Sequence, residues 1–595
     1  MINKLPKQIF NEYAVGNSFK MHLGDKGLNE QSRINERFYV GDQWHGAKCG
    51  NERPLVRHNI IKRIGEYKTA VIGANPIAVN FSADGIPNII EENDSESTKN
   101  AILKGEYHLN AIPDNREINF IMSTLSDYFN VTAERVKLED IKEQALRNAY
   151  ISGTCVIYTY WDETVPTGLF ADYEHRLTIK GDINCEVLDI ENLTFGDPNN
   201  DNVQAQPYII IAQRKGVEQL KLEAQNNHRP KYEIDSIRGD RDFDGMAGQR
   251  AQNEPENSKK AVVLTKLWKE QNSDGKISVK GIRVTENAVI RDEWDLGLNN
   301  YPLAKMSWER RRSSIYGDSE ITYLIPNQIA INRALTASVW SMIVMGMPIL
   351  IKDADVISGN VTNMPGQIID VNCGGTGVGG AISYLTPPSF SGQFDNMIQS
   401  LITNTLSQSG ANDAVLGNVR PDNLSAIVAV REAALMPLQT VQNRFYQLCE
   451  DVARIWLDFW VHKYGNRKIK ISDNRGVWYL PFDSKRYRDL IVSVKVDVGA
   501  STLWGEAQVI STLDNLLANN IITPEQYFDR LPKGLVPDID GLKNDFKQKN
   551  MAEDGKIDFN KILSALTEEE KEIFNGLSYE EQQQMLEHAV MEAAK

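Results

Sequence analysis

The stretch DNLSAIVAVREAALMPLQTVQNRFYQLCEDVARIWLDFWVHKYG, residues 422–465, carries the longest helical pattern in the chain. Its apolar side chains recur every three or four residues, the spacing of one helix face: Leu435, Leu438, Val441, Phe445, Leu448, Val452, Ile455 and Phe459. A helix over 422–464 would be roughly 60 Å long. Pro437 would bend this helix, and Gly465 would end it. Such a length exceeds the width of a small domain and indicates an elongated or multi-part molecule.

The remaining chain separates into β-rich and helical stretches. Between about 153 and 305, alternating apolar runs divided by turn residues predict an antiparallel sheet domain. These runs are CVIYTYW, INCEVLDI, PYIIIAQR, AVVLTKLW, KISVKGIRV and AVIRDEW. Within this domain, residues 226–260 are hydrophilic and predict a mobile loop. In residues 316–346, apolar side chains recur at helical spacing on both sides of Pro326, which predicts a helix. Two predicted strands, YLPF and LIVSVKVDVG, come before a helical end over residues 503–595. Capping-box spacing at Thr567 and Ser578 supports that helical end.

Composition limits the classes of protein. The chain has 595 residues, which is enough for several packed units. The net charge is −15. Proteins that bind nucleic acids tightly usually carry a net positive charge instead. The longest apolar stretch is residues 339–351, and Ser341 and Pro348 interrupt it. A helix that spans a membrane needs about 18 apolar residues, so this stretch is too short. The first residues lack a signal-peptide pattern, so synthesis in a cytoplasm is expected.

Five scattered cysteines, Cys49, Cys155, Cys185, Cys373 and Cys449, show no C-x-x-C pair. Their odd number and wide separation favour reduced, mostly buried thiols over disulfides or a zinc site.

One segment approaches a phosphate-binding loop. Residues 41–48, GDQWHGAK, follow the strand-like residues 38–40. A P-loop requires Gly-Lys-Ser/Thr, but Ala47 separates the glycine from the lysine and Cys49 replaces the hydroxyl residue. A structural turn anchored by Trp44 is the favoured interpretation.

Other chemical motifs are incomplete. The glycine run 375–380 lacks the spacing and βαβ setting of a dinucleotide turn. Residues 240–245 begin like a calcium loop, but Ala251 stands where a bidentate glutamate is needed. Neither H-E-x-x-H nor G-x-S-x-G occurs. The sequence therefore predicts no catalytic residues, no metal, no cofactor and no enzymatic activity. The run Arg310-Arg311-Arg312 leaves two possibilities open: contact with nucleic acid, or a salt-bridge cluster between a sheet domain and a helix.

The order of these segments resembles that of portal proteins, the head-to-tail connectors of tailed bacteriophages. Four parts of the chain carry the resemblance: FYVGDQW, RPLVRHNII and ANPIAVNF within 38–81; IYGDSEITYLIPNQIAINRALTASVW at 315–340; residues 422–456; and LWGEAQVISTLDNLLANNIITPEQY at 503–527. The resemblance covers roughly residues 30–545. The family often has Ser-Gly where this chain has Ser425-Ala426.

The resemblance implies an α+β portal fold with an α/β wing, a helical stem, a small β-containing clip and a helical crown. The implied parts are an N-terminal arm (1–20), the wing (21–315), stem helix 1 (316–346), the clip (347–388), stem helix 2 (389–408), a tunnel loop (409–421), a long kinked helix (422–464), wing return strands (465–502) and the crown (503–595).

It also implies a function. About twelve copies would form a ring at one capsid vertex, the channel for packaging and ejection of double-stranded DNA. Implied partners are the terminase large subunit, the major capsid and scaffold proteins, and head-completion, adaptor or tail proteins. Terminase would hydrolyse ATP. The protein would be assembled in the bacterial host cytoplasm, would reside in the virion, and would have no membrane span.

Two sets of site residues follow from the implied parts. The DNA-facing candidates in the tunnel loop are Asn412, Asp413, Asn418 and Arg420, although Arg420 could equally form a salt bridge between subunits. Candidate contacts of the clip with terminase or adaptor are Lys352, Asp353 and Asp355. An acidic channel would repel phosphate and let DNA slide.

Two alternatives remain open. One is a cytoplasmic nucleotide-using enzyme that holds phosphate in the Gly41 or Gly375 loop. The other is a tail or baseplate structural protein that forms an oligomer without a DNA-wide channel.

Overall fold

The computed structural model describes residues 4–47, 54–74, 77–85, 115–172, 177–239, 260–271, 277–345, 349–357, 360–361, 368, 370–371, 382–385, 392–410, 424–473, 476–483, 491–498, 503–519 and 521–531. The chain divides into two compact units, Met1–Gly499 and Ala500–Lys595. Helices and antiparallel sheets both contribute to the first unit, so the α+β class is confirmed.

The first unit begins with helices and one strand: α1 (Lys4–Met21), α2 (Leu28–Val40), α3 (Ile60–Gly73), β1 (Ile77–Gly85), α4 (Asn115–Val136) and α5 (Leu138–Ser152). The strand-like interpretation of residues 38–40 is wrong, because they form the last turn of α2. The buried residues of α2 recur at helical spacing, and Gly41 ends the helix in the left-handed region at φ 95°. A glycine adopts that conformation without steric cost.

The predicted antiparallel domain is confirmed, as two sheets rather than one. A three-stranded sheet has the order β3-β2-β9, and a five-stranded sheet has the order β4-β5-β6-β7-β8. Their strands are β2 (Thr154–Asp172), β3 (Leu177–Leu188), β4 (Leu193–Phe195), β5 (Tyr208–Gly216), β6 (Lys260–Gln271), β7 (Ile277–Val284), β8 (Val289–Asp295) and β9 (Leu303–Ser307). In β2–β9 pairing, Cys155 lies opposite Met306.

The hydrophilic segment 226–260 differs from the predicted loop. Helix α6 (Val217–Asn226) precedes it, and α7 (Lys231–Ser236) lies inside it. Arg229 pairs with Glu233 within the segment at 2.5 Å and also with Asp292 of β8, which attaches the segment to the five-stranded sheet. Ile234 and Ile237 of the same segment are buried in an apolar cluster, so a mostly polar stretch still has a fixed place in the fold. Residues 240–259, including the calcium-like turn, lie outside the described part of the chain.

The second half of the first unit is built on long helices. These elements are α8 (Glu320–Met345), β10 (Ile349–Lys352), β11 (Ile382–Leu385), α9 (Gly392–Gln408) and α10 (Leu424–Lys463). Helix α10 contains Pro437 and spans 40 residues, so the predicted long helix is confirmed. Its predicted face from Leu438 onward packs into the core, where Phe445, Trp456 and Trp460 have 0% of their surface exposed.

Three strands follow α10: β12 (Asn466–Asp473), β13 (Gly476–Asp483) and β14 (Ile491–Val498). Strands β12 and β13 pair with each other, whereas β14 pairs with β1, so that Ile77 lies opposite Val498. The predicted return strands are therefore present.

The described part of the second unit holds α11 (Leu503–Ala518) and α12 (Pro524–Arg530). Thr523 and Gln526 form a capping box at the start of α12. The capping boxes predicted at Thr567 and Ser578 lie outside the described residues.

Three cysteines are buried and unbonded to one another: Cys155, Cys185 and Cys449. Burial raises the pKa of Cys155 and Cys449 to about 12 and that of Cys185 to about 11. The prediction of buried thiols is confirmed for these three, while Cys49 and Cys373 lie outside the described residues.

Candidate assembly surface

The base of α8 is fixed in the core of the first unit. Ser319 donates a hydrogen bond to the carbonyl oxygen of Tyr150 at 2.6 Å, and its hydroxyl accepts one from the amide of Ile321 at 3.1 Å. Glu320, in the first helical turn, pairs with the buried Lys68 at 2.5 Å. A carboxylate in that turn also faces the positive end of the helix dipole. These contacts attach the start of α8 to the core of the first unit.

A ladder of polar side chains then ties α8 to the extended segment 54–59. Asn332 accepts a hydrogen bond from the amide of His58 at 3.1 Å, and Gln328 accepts one from the amide of Ile60 at 3.0 Å. One turn later, Thr336 accepts a hydrogen bond from the amide of Val56 at 3.2 Å. Gln328 and Asn332 are almost fully buried. The ladder therefore joins two stretches that carry the resemblance, 53–61 and 315–340.

The last turns of α8 extend beyond the polar ladder. Met342 and Ile343 have 61% and 54% of their surface exposed. Met397 on α9 is exposed by 53%. A single exposed apolar side chain is ordinary, but a group of them on adjoining elements is typical of a surface that another molecule covers.

Charge is scarce on the same helices. The 26 residues of α8 include only Glu320 and Arg333 as charged residues, and the 17 residues of α9 include only Asp395. Charged residues make up 24% of the whole chain. Because exposed helices normally carry charge on their solvent face, these two helices are composed like packing elements. We call the exposed apolar residues Met342, Ile343 and Met397, on the neighbouring helices α8 and α9, the stem patch.

Helix α9 packs beside α8 in the described structure. Ile398 and Leu406 are buried, and Asn327 of α8 donates a hydrogen bond to Gln408 of α9 at 3.3 Å. The two helices flank the predicted clip, and their bounds fall within the predicted ranges 316–346 and 389–408.

The clip candidates Lys352, Asp353 and Asp355 lie together at the end of β10. Strand β10 pairs antiparallel with β11, with Lys352 opposite Ile382. Asp353 turns the chain, because its carboxylate accepts a hydrogen bond from the amide of Asp355 at 3.0 Å and its carbonyl accepts one from Ile357 at 3.0 Å. Both carboxylates are exposed, so they are available to a partner.

The tunnel-loop candidates Asn412, Asp413, Asn418 and Arg420 lie outside the described residues. So do the glycine run 375–380 and Lys48 of the phosphate-loop candidate.

A buried polar cluster that sequence reasoning missed holds the far end of α10. The Tyr464 hydroxyl donates a hydrogen bond to Asp182 of β3 at 2.5 Å and lies 3.0 Å from the hydroxyl of Tyr128 on α4. Asp182 also pairs with Arg135 at 3.2 Å, and Arg467 stacks on the Tyr464 ring, 3.5 Å from its centroid. Burial raises the pKa of Tyr464 well above its usual value, so the hydroxyl stays a donor. The end of α10 is thereby attached to α4 and to the three-stranded sheet.

The phosphate-loop candidate is a turn between helices in the described structure. The Trp44 indole donates a hydrogen bond to the carbonyl oxygen of Val56 at 3.1 Å, which agrees with the predicted anchoring role. Two members of the arginine run form ion pairs: Arg310 lies 3.8 Å from Asp201, and Arg311 pairs with Asp318. The salt-bridge interpretation therefore holds for these two arginines, and Arg312 is exposed.

No protein-family model matches the chain, and neither does any curated protein. Among the described helices, none is long and apolar enough to cross a membrane. Within the same residues, no group of three or more His, Cys, Asp or Glu side chains is arranged to hold a metal ion.

Proposed function

We propose that this chain is the subunit of a phage portal ring, with about twelve copies around a channel for double-stranded DNA at a capsid vertex. The single observation that carries the proposal is the stem patch on two nearly uncharged helices. In a ring, the exposed apolar side chains of one subunit would be covered by its neighbours.

The acidic charge supports the same proposal. Twelve copies at −15 each would carry −180 formal charges. DNA moving through a channel needs weak contact, because extensive pairing of Lys and Arg with phosphates would hold it in place. The three charged residues on α8 and α9 offer little such pairing. The exposed carboxylates Asp353 and Asp355 at the end of β10 would then be available to a terminase or adaptor.

The experiment is electron microscopy of the purified chain, with class averages viewed along the particle axis and a solution mass measured in parallel. We expect a ring near 805 kDa for twelve copies of the 67.1 kDa chain, with an axial hole wide enough for duplex DNA. A closed monomer that binds ATP would contradict the proposal and favour an enzyme. An oligomer without an open channel would favour a tail or baseplate component.

A matched pair of variants tests the role of the stem patch. Ile343→Glu places a charge on α8, and we expect it to shift the population from rings to single chains because a charge would be buried at the interface. Leu222→Glu, on α6, is the control, since Leu222 is also an exposed aliphatic residue, at 60%. Equal ring fractions for both variants would exclude the stem patch from assembly.

A further inference from the structure

A polar cleft lies between α10 and the sheet domain. It has a volume of about 390 Å³. One wall is formed by α10 from Arg444 to Ile455, and the other by β9 with Arg310 and by the turn that begins at Asp201. The volume is within the usual range for small-molecule sites.

The lining of this cleft is basic although the chain is acidic. It contains four basic side chains, Lys305, Arg310, Arg444 and Arg454, and two carboxylates, Asp201 and Asp451. The net formal charge of the lining is therefore +2.

Three of the cations have carboxylate partners. Lys305 pairs with Asp201, and the same carboxylate lies 3.8 Å from Arg310. Arg454 pairs with Asp451 at 3.2 Å. Each carboxylate is thus already engaged by the cleft's own basic residues.

Arg444 differs from these three. Its guanidinium donates a hydrogen bond to the carbonyl oxygen of Trp308, and within the described part of the chain it forms no ion pair. Burial, and then the neighbouring Arg310, lower the pKa of Arg444, while the carboxylates of Glu309 and Asp201 act in the opposite direction. Two positively charged guanidinium groups repel each other, and an anion that lies between them reduces this repulsion. A guanidinium also offers paired N–H donors, the geometry that suits a phosphate.

We propose that this cleft binds the phosphate group of a small ligand through Arg310 and Arg444. A dianionic phosphate balances the net charge of the lining. The cleft is larger than a phosphate ion requires, so a phosphate monoester fits as well as the free ion. A DNA duplex presents its phosphates on a convex surface, which a cleft of this size does not accommodate.

The test is calorimetric titration of the full chain in chloride buffer at constant ionic strength, with inorganic phosphate in one arm and glycerol 3-phosphate in the other. We expect saturable binding of one phosphate per chain. Tighter binding of glycerol 3-phosphate would identify a monoester as the ligand, and equal affinity would identify the free ion.

Three variants decide the role of the arginines. Arg444→Gln and Arg310→Gln should each weaken binding about tenfold or more, because each removes charge-assisted hydrogen bonds. Arg310 is exposed, so its replacement tests the site even if Arg444→Gln fails to fold. Arg312→Gln is the matched control: it removes the same charge from the same arginine run but does not line the cleft.

Three outcomes would overturn the proposal. The first is no saturable heat at millimolar phosphate. The second is an equal loss of affinity in Arg312→Gln and Arg310→Gln, which would show general charge screening. The third is binding of an Asp-Glu peptide without binding of phosphate, which would assign the cleft to an acidic protein segment.

Discussion

At the scale of single residues, Lys20 is the most unusual side chain of α1. It has 0% of its surface exposed, and its ammonium donates hydrogen bonds to the carbonyl oxygens of Ile190 and Glu191 at 2.9 and 3.0 Å. Burial lowers its pKa from 10.5 to about 7, with Glu191 acting in the opposite direction. A lysine within a polar N-terminal sequence gives no sign of such burial, which is why sequence reasoning missed it.

The lowered pKa predicts how stability depends on pH. Between about pH 7 and 10.5 the unfolded chain holds a proton on Lys20 that the folded chain has lost, so folding becomes more favourable as pH rises. From pH 7 to 9 we expect a gain of roughly 2 kcal/mol in the free energy of unfolding relative to Lys20→Met. Urea unfolding at the two pH values measures it.

The exposed Lys7 on the same helix provides the control. Lys7→Met should retain the pH dependence of the native chain, since Lys20 is still present. If Lys20→Met retained it as well, the dependence would belong to another group.

At the scale of elements, the sequence pattern predicted where helices and strands occur better than it predicted which elements pack or pair with one another. The apolar spacing of α10 identified that helix and its buried face, because one face packs along most of its length. The pairing of β1 with β14 joins residues 77 and 498. No local pattern records a partner that distant, since strand pairing depends on how the whole chain folds back.

The polar ladder on α8 was missed for a different reason. Gln328 and Asn332 interrupt an apolar pattern, and by spacing alone they read as solvent-facing positions. Their position four residues apart was the available signal, because it puts both amides on one helix face. Only the tertiary structure shows that this face covers the amides of segment 56–60.

The ladder predicts the effect of Asn332→Leu. The amide of His58, which is partly buried, and the buried side-chain oxygen of Gln43 would each lose a partner. We expect a loss of about 1–3 kcal/mol in the free energy of unfolding, together with faster hydrogen exchange at the His58 amide. Arg333→Leu, at the next and exposed position, should change neither measurement by a comparable amount. Similar losses in both variants would mean that the helix, not the ladder, is affected.

At the scale of the whole molecule, charge and assembly oppose each other. If about twelve copies at −15 each form a ring, their mutual repulsion disfavours closure, and dissolved salt screens that repulsion. We expect the ring fraction, measured by sedimentation, to rise as sodium chloride is increased from low to moderate concentration. Ile343→Glu should remain mostly single chains throughout. A ring fraction that fell with salt would indicate instead that pairing of opposite charges holds the subunits together.

The buried cysteines have a practical consequence for chemical labelling. Cys155, Cys185 and Cys449 are enclosed, and their raised pKa values leave almost no thiolate at neutral pH, the form that attacks a maleimide. Intact mass spectrometry should therefore find at most two adducts on the native chain, at Cys49 and Cys373, and five after unfolding. Replacing either of these two would leave at most one dye position. Fluorescence studies of the protein can thus begin from the natural sequence without a cysteine-free background.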